Sequence, residues 1–292
     1  MNAIDGLKMS ITIDHSYQSP NFNERRNNVT PSLLVMHYTA CPKDEALKIL
    51  TSRTQAVSAH YLVSQEEPSV YQLVADDKRA WHAGISFWRS IDDVNSSSIG
   101  LEIENWGYTY GSVALSSPPH PILTYGWSFL IQVQRRLGDI LIDKSWRNWH
   151  PFPDEQIQRI IALSKQIIQK YGIDPENVVG HADVAPTRKI DPGPCFPWEK
   201  LAKDGVGAWY DLKTDRVHSN RPSGLSESWI QASLKEWGYS VSQTGHLDPE
   251  TKSALQAFQM HFRPENYDGT IDEQSSQILD ALLCQRYNKV TP

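Results

Sequence analysis

The chain has 292 residues, of which 39% are hydrophobic and 21% charged, and its formal net charge is −6. This length allows one large and one small domain, and the composition is that of a globular protein with a sizeable core. The acidic balance and the lack of a long basic run argue against a nucleic-acid partner, and no apolar run reaches the roughly 20 residues of a transmembrane segment. Three widely spaced cysteines imply no disulfide framework.

The first strong structural signal follows a polar start. Residues 1–30 are predicted to form an N-terminal arm over the surface, because Ile11 to Asn28 is polar and irregular. Leu33 to Thr39 is then a continuous apolar run between prolines, which predicts a buried central strand. His37 lies at the end of this strand, where side chains emerge from a sheet, and is therefore a candidate metal ligand.

Two more predicted strands lead into a loop rich in binding groups. Val57 to Val63 and Val70 to Val74 have strand patterns and are expected to pair through the polar turn between them. The loop from Asp76 to Gly84 follows, and loops held on a sheet commonly carry binding groups. Its histidine could bind a metal, form hydrogen bonds or contact substrate. The candidate residues in this loop are Arg79, Trp81 and His82.

The segment from Ser98 to Asn105 alternates strictly between apolar and polar residues, which predicts a strand. Glu102 and Glu104 share one face of it. That face is either solvated or directs one carboxylate into a site as a general base. The spacing alone does not choose between the two glutamates.

The next elements complete an α/β pattern. Tyr108 to Pro151 contains an apolar, helix-like stretch at 125–143, which indicates either a packed extra helix or a dedicated recognition element. Asp154 is expected to cap an amphipathic helix that ends at Gly172, and Asn177 to Gly180 follows as a short strand. The alternation of strands and helices predicts an α/β sheet flanked by helices.

The loop from Gly180 to Pro194 concentrates the chemistry of the chain. It supplies a nitrogen donor in His181, an oxygen donor in Asp191 and a cation in Lys189. Its prolines restrict the backbone, and residues two apart project to the same side of an extended segment. This combination predicts a zinc site with an electrostatic helper, completed by a second histidine and a base from elsewhere.

The C-terminal part is predicted to be all-helical. A polar linker at 213–224 precedes residues 225–292, which contain three helical segments, Ser226 to Trp237, Pro249 to Phe262 and Asp272 to Tyr287. Together they form a small bundle near the lower size limit for independent stability.

With these residues in place, the chain resembles the zinc-dependent N-acetylmuramoyl-L-alanine amidases related to phage T7 lysozyme and the peptidoglycan recognition proteins, in particular the AmpD/AmiD branch. The resemblance covers a domain at 31–212, with a central mixed β-sheet flanked by helices. It rests on the order of five motifs, Leu-Val-Met-His-Tyr-Thr, Val-Ser-Ala-His-Tyr-Leu, Arg-Ala-Trp-His-Ala-Gly, Ser-Ile-Gly-Leu-Glu-Ile and Gly-His-Ala-Asp-Val-Ala-Pro-x-Arg-Lys-x-Asp-Pro-Gly-Pro.

The resemblance implies a role for each matched residue. One Zn²⁺ per chain would be held by His37, His181 and Asp191. Glu102, the first glutamate of Gly-Leu-Glu-Ile, would be the general base, and Lys189 would stabilise the oxyanion. The residues that we expect to contact substrate are Tyr38, His60, Arg79, Trp81, His82 and Arg188.

The implied substrate is peptidoglycan or a muropeptide, cut between the lactyl group of N-acetylmuramic acid and L-alanine. The tail resembles a peptidoglycan-binding helical domain. The alternatives are a non-catalytic peptidoglycan-binding protein on the same fold, a zinc peptidase, and a tail that only packs on the amidase or forms an oligomer contact; the oligomeric state stays open.

Two features depart from the family pattern. The segment from Tyr108 to Pro151 is longer than usual, and no lipobox or signal peptide is visible. By resemblance we expect the periplasm or cell envelope as the location, with the cytoplasm as the alternative.

Overall fold

A computed structural model describes residues 11–67, 69–108, 149–214 and 224–290. The helix predicted at 125–143 and most of the linker predicted at 213–224 lie outside these residues. Among the described helices, none has the length and apolar character needed to span a membrane.

The described residues contain eight strands, which form one large and one small sheet. Six of them form a mixed sheet in the order β1-β5-β4-β7-β3-β8, in which β4 and β5 are antiparallel and the other neighbours parallel. The remaining two, β2 and β6, form an antiparallel pair. The strands are β1 (Ile13–Asp14), β2 (Phe22–Glu24), β3 (Leu33–Tyr38), β4 (Tyr61–Val63), β5 (Val70–Gln72), β6 (Lys78–Ala80), β7 (Ser98–Ile103) and β8 (Val178–Gly180).

The central strands bring the chemical residues to one edge of the large sheet. Every residue of β3 and β7 is buried, as expected for parallel strands covered on both faces. The β3–β7 register places His37 opposite Glu102, and the β3–β8 register places Met36 opposite Gly180, the residue before His181. The carboxyl ends of parallel strands are where α/β proteins commonly place their sites.

The described residues contain eight helices. They are α1 (Lys43–Leu50), α2 (Val94–Ser97), α3 (Asp154–Tyr171), α4 (His181–Val184), α5 (Trp198–Lys203), α6 (Glu227–Trp237), α7 (Pro249–Phe262) and α8 (Glu273–Val290). The long helix α3 packs its isoleucines against the sheet and ends at Gly172, as predicted. The predicted cap is wrong, because Asp154 is the first helical residue and its carboxylate accepts a hydrogen bond from Lys200 Nζ at 2.6 Å.

The three tail helices are confirmed, and their starts follow ordinary capping chemistry. Ser226 Oγ accepts from the Trp229 N–H, and the Asp248 carboxylate accepts from the Thr251 N–H. We call residues 224–290 the helical module. Its core is not separate: one buried cluster includes Leu33 and Val35 of β3 together with Leu234, Phe258 and Leu279 of the module.

The N-terminal segment is more deeply built into the fold than an arm lying over the surface. Strand β1 extends the large sheet beside β5, and β2 pairs with β6. Arg25 is buried and donates hydrogen bonds to the backbone carbonyls of Asp76 and Ser96 at 2.8 and 2.6 Å. The prediction for Ile11 to Asn28 is therefore corrected, since its backbone pairs with strands distant in sequence.

Candidate active site

Three predicted ligands converge at the carboxyl edge of the sheet. His37 comes from the end of β3, His181 begins α4, and Asp191 lies in the loop after it; all three are buried. His37 Nδ1 is 2.9 Å from His181 Nδ1, and Asp191 Oδ2 is 3.1 and 3.0 Å from these two nitrogens. The arrangement is a possible metal site.

A hydrogen-bonded chain sets the tautomer of His37. The Ser98 hydroxyl donates its only proton to the Val94 carbonyl oxygen at 2.5 Å, so it accepts from His82 Nε2–H at 3.0 Å. His82 Nδ1 is then an acceptor, and His37 Nε2–H donates to it at 3.0 Å. Consequently His37 Nδ1 presents a lone pair towards the other two ligands.

His181 reaches the same state by a different contact. Its Nε2–H donates to the Ala83 carbonyl oxygen at 3.1 Å, which leaves Nδ1 with a lone pair. Burial lowers the pKa of His181 to about 3 and also lowers the pKa of His37, so both rings are neutral at neutral pH.

The donor set therefore fits a divalent cation. Two neutral imidazole nitrogens and a carboxylate oxygen face one another with no proton between them, a repulsive arrangement that a positive ion would relieve. Two histidines and an aspartate, with the histidines oriented by further hydrogen bonds, are typical ligands of zinc.

The structure also separates the two candidate glutamates. Glu102 lies beside His37 in the β3–β7 register, is buried, and its Oε2 has no hydrogen-bond partner among the described residues. Burial, reinforced by the charge of Asp191, raises the pKa of Glu102 well above its ordinary value. Glu104 instead accepts from the Lys43 N–H, the Ser64 hydroxyl and the Gln65 N–H at 2.7–2.9 Å, so its carboxylate has a structural function.

Lys189 adds a cation next to these groups. Its side chain is only partly exposed, and burial lowers its pKa while the charge of Asp191 opposes that shift. Its charge also acts on Glu102. A positive group thus lies near both the ligand set and the unpaired carboxyl group.

The two further histidines predicted to contact substrate are His60 and His82. His82 contacts Nε2 of His37, and His60 lies next to His82. His60 is fully buried, accepts from the Gly100 N–H at Nδ1 and donates from Nε2 to the Lys78 carbonyl oxygen, both at 3.0 Å. Direct substrate contact by His60 stays a prediction. His82 is also buried, with both ring nitrogens in the chain that orients His37.

The other four predicted contact residues are also held by protein groups, and substrate contact stays a prediction for them. The Arg79 guanidinium pairs with Asp93 at 3.0 Å, and the Trp81 Nε1–H donates to Asn23 Oδ1 at 2.9 Å. Tyr38 is buried. Arg188 Nη2 donates to the carbonyl oxygens of Ala83 and Ile85 at 2.6 and 2.8 Å, and so holds the carbonyl that orients His181.

Sequence reasoning missed the residues that orient the ligands. Ser98 carries no distinguishing signal. Gly100 does, because a glycine inside a strand often marks a close approach. A Cβ at Gly100 would lie 2.5 Å from Cγ of His82, so only glycine admits the His82 ring at this position.

Comparison with known families yields two matches along the chain. Residues 27–194 match the model of the N-acetylmuramoyl-L-alanine amidase family. Residues 226–279 match the model described as "Putative peptidoglycan binding domain". The first match contains every candidate ligand and both candidate catalytic residues, and the second lies within the helical module.

Similar proteins extend these matches over most of the chain. The N-acetylmuramoyl-L-alanine amidase AmiD of Escherichia coli K12 is 38% identical over 261 residues, which is 86% of this chain and 82% of the relative. The structure of E. coli AmiD with anhydro-N-acetylmuramic acid-L-Ala-D-gamma-Glu-L-Lys is 35% identical, covers 91% of this chain and 98% of its own, and has a TM-score of 0.67. AmpDh3 of Pseudomonas aeruginosa in complex with anhydromuramic pentapeptide is 33% identical, covers 95% and 99%, and has a TM-score of 0.68.

Proposed function

The chain belongs to the N-acetylmuramoyl-L-alanine amidase family, and from that premise we propose that one zinc ion held by His37, His181 and Asp191 serves the reaction. The bond hydrolysed joins the lactyl group of N-acetylmuramic acid to the L-alanine of the stem peptide. A zinc ion at these ligands would supply Lewis acidity to the scissile carbonyl group and to a water molecule.

In the proposed mechanism, Glu102 transfers a proton and Lys189 stabilises a negative charge. Glu102 takes a proton from the attacking water on its unpaired Oε2 and delivers it to the leaving amine of L-alanine. Lys189 places its positive charge where negative charge develops on the carbonyl oxygen, and a single donor of this kind contributes about 3–4 kcal/mol. His82 and Ser98 keep His37 in the tautomer that presents Nδ1.

One observation carries this proposal. Three acceptor atoms converge within about 3 Å of one another, beside a buried carboxyl group whose second oxygen has no partner in the described part of the chain. Buried polar groups are normally paired, so the three converging acceptor atoms together with the unpaired Glu102 oxygen indicate a site built for an ion, a water molecule and a substrate.

We extend the proposal to the substrate, because two structures of relatives contain anhydromuramyl peptides. This chain would accept muropeptides of that class. The helical module, which matches a peptidoglycan-binding model, would bring the site to the wall polymer. In this proposal the catalytic domain spans 31–212 and the binding domain 225–292.

We place the site of action in the bacterial envelope, where the wall polymer lies. The match of the helical module to a peptidoglycan-binding model supports this. Fractionation of cells producing the full chain tests it; recovery with the cytoplasmic markers alone would favour turnover of internalised muropeptides instead.

The decisive experiment is mass spectrometry of an anhydromuramyl tetrapeptide incubated with the purified protein. We expect free stem peptide and peptide-free sugar, both lost after treatment with a chelator and restored by zinc. Cleavage at a peptide bond would identify a peptidase. An intact substrate despite one bound zinc per chain would support the non-catalytic binding protein.

A further inference from the structure

The carboxylate of Asp183 joins the helical module to the metal site. It is buried two residues after the ligand His181 and accepts three hydrogen bonds. The Gly180 N–H donates to Oδ2 at 2.7 Å, the Tyr239 hydroxyl to Oδ1 at 2.6 Å, and His261 Nδ1–H to Oδ2 at 2.8 Å. Two of the three donors therefore come from the helical module.

Both donors from the module are fixed by aromatic packing. Tyr239 is fully buried, with its ring edge-on to Trp88 at a centroid distance of 5.2 Å. His261 stacks on Trp198 at 3.8 Å with an interplanar angle of 13°. Because both rings are buried and packed against tryptophans, both hydrogen bonds to Asp183 belong to the interface between the module and α4.

Asp183 lies in α4, the helix that contains the ligand His181 and is hydrogen-bonded to the backbone of the ligand Asp191. Helix α4 spans only His181–Val184, and its Ala182 N–H donates to the Asp191 carbonyl oxygen at 2.8 Å. A helix this short makes too few internal hydrogen bonds to fix its own orientation. The orientation of α4 must therefore come from contacts with its surroundings. Asp183 supplies such contacts, because its buried carboxylate accepts three hydrogen bonds.

We propose that Tyr239 and His261 are positioning residues of the metal site, acting through Asp183 on His181 and Asp191. The inference rests on the proposed zinc site and gives the helical module a second function. Besides approaching the wall, the module holds α4 in the orientation in which both ligands converge. The amidase centre is therefore complete only when the module is packed against the sheet.

The test compares zinc affinities of full-length variants by competition with a chromogenic chelator. Tyr239→Phe removes one hydroxyl group, and His261→Phe keeps a flat ring against Trp198 while removing the donor. We expect each to bind zinc about tenfold more weakly, at the low end of the effect of outer-shell partners on metal affinity. The value of kcat should fall with little change in KM.

A matched control separates this role from loss of stability. Thr251 is fully buried, and its hydroxyl accepts from Gln231 within the helical module, away from Asp183. Thr251→Val should lower the Tm of the metal-free protein as much as Tyr239→Phe does, yet keep the zinc affinity of the unsubstituted protein.

The outcomes distinguish this inference from the proposed function. If the unsubstituted protein binds no zinc, the proposed function fails. If it binds zinc, and both phenylalanine variants bind zinc as tightly as the unsubstituted protein does, the positioning role is overturned. If Tyr239→Phe does not fold, the affinity of His261→Phe decides, and equal weakening in Thr251→Val would reduce the effect to general stability.

Discussion

Buried polar side chains are paired differently at the metal edge, which is the sheet edge that carries the candidate ligands, and at two glutamines of the helical module, Gln231 and Gln259. In the module, Gln231 is fully buried and fully paired. Its Nε2 donates to Thr251 Oγ1 and to the His246 carbonyl oxygen at 2.9 and 2.8 Å, while its Oε1 accepts from the Gly245 N–H at 2.8 Å.

Gln259 repeats this arrangement one helix later. Its Nε2 donates to the Thr270 carbonyl oxygen and to Ser275 Oγ at 2.9 and 3.1 Å, and its Oε1 accepts from the Gly269 N–H at 2.8 Å. Each glutamine thus fastens the turn that follows its own helix. At the metal edge, by contrast, Glu102 is buried with one oxygen unpaired among the described residues.

The difference in pairing distinguishes side chains that stabilise the fold from a side chain proposed to take part in the reaction. A buried polar group left without a partner costs about 1–3 kcal/mol, and a paired one adds a small net stabilisation. The paired glutamines therefore stabilise the turns of the module, whereas the unpaired Glu102 oxygen fits the general-base role proposed for this residue.

The largest expected effect on the rate of amide cleavage comes from replacing Glu102. Glu102→Gln keeps the shape of the side chain but cannot accept a proton as a base, so amide cleavage should fall about 10³-fold. Zinc content should be unchanged. Single-turnover assays with a muropeptide, together with metal analysis, measure both; cleavage at the normal rate would exclude Glu102 as the base.

The same variant should stabilise the metal-free protein at neutral pH. Because the folded state raises the pKa of Glu102, it binds the proton more tightly than the unfolded chain does. The contribution of Glu102 to stability is thus full below its ordinary pKa and is lost as the pH rises from that value through the raised pKa of the folded protein. Glutamine stays neutral and removes this loss. Urea unfolding in the presence of a chelator at pH 7 checks the sign, and a less stable variant would contradict it.

Lys189→Ala should have the next largest effect. Zinc binding should be retained, while kcat falls about 10²–10³-fold because a developing negative charge loses its cation. Lys200→Ala is the control, since Lys200 is a cation that pairs with Asp154 on the surface. Normal turnover by Lys189→Ala would show that this cation has no part in the reaction.

Replacing His82 tests whether the chain from Ser98 to His37 sets the ligand geometry. His82→Leu removes the acceptor for His37 Nε2–H and should weaken zinc binding about 10–100-fold. His82→Asn offers an amide oxygen near the position of Nδ1 and should recover part of the affinity. Equal affinities for the leucine variant and the unsubstituted protein would reduce His82 to a space-filling group.

The sequence predicted the elements that carry strong local signals. The apolar run of β3 and the strict alternation along β7 each predicted a strand. Two of the tail helices begin directly after Ser226 and Asp248, which act as caps. His37 and His181 could be proposed as ligands because each lies where a predicted strand ends, and the structure brings them together as a possible metal site. The strand and helix predictions depend on neighbours in the chain, which is why the structure confirms them.

The features that were missed depend on distant partners. Strand β1 has only two residues and is defined by its pairing with β5, so it is too short to show a strand pattern in the sequence. The function of His82 depends on the space above Gly100. The tail helices show an apolar face, but nothing in that pattern indicates that it joins the buried cluster that contains Leu33 and Val35 of β3.

Breaking a paired group in the module should affect stability alone. Gln231→Leu leaves the Gly245 N–H and the Thr251 hydroxyl without their buried partner, so the free energy of unfolding should fall by about 2–3 kcal/mol. Gln277→Leu, at a partly exposed position of α8, should change it by less than about 0.5 kcal/mol. Denaturant unfolding of both measures the difference, and similar losses would contradict the pairing argument.

His60 extends the comparison to a residue that lies next to His82, with 5.7 Å between the ring centroids, and has both ring nitrogens paired. By the pairing argument it belongs to the architecture, so His60→Asn should keep zinc affinity and kcat. Its signature is a pH-dependent stability. Burial, reinforced by Arg25, lowers the pKa of His60 to about 4, so the unfolded chain binds the proton more tightly.

Stability from His60 is therefore present above the unfolded pKa of about 6.5 and is lost as the pH falls towards 4, at about 1.4 kcal/mol per pH unit. Between pH 7 and 5, the unsubstituted protein should lose about 1–2 kcal/mol more than His60→Asn, whose amide does not titrate. Unfolding of the zinc-free proteins at both pH values measures this excess. A variant that kept the full pH dependence but lost zinc binding would place His60 among the chemical groups and break the division between the two regions.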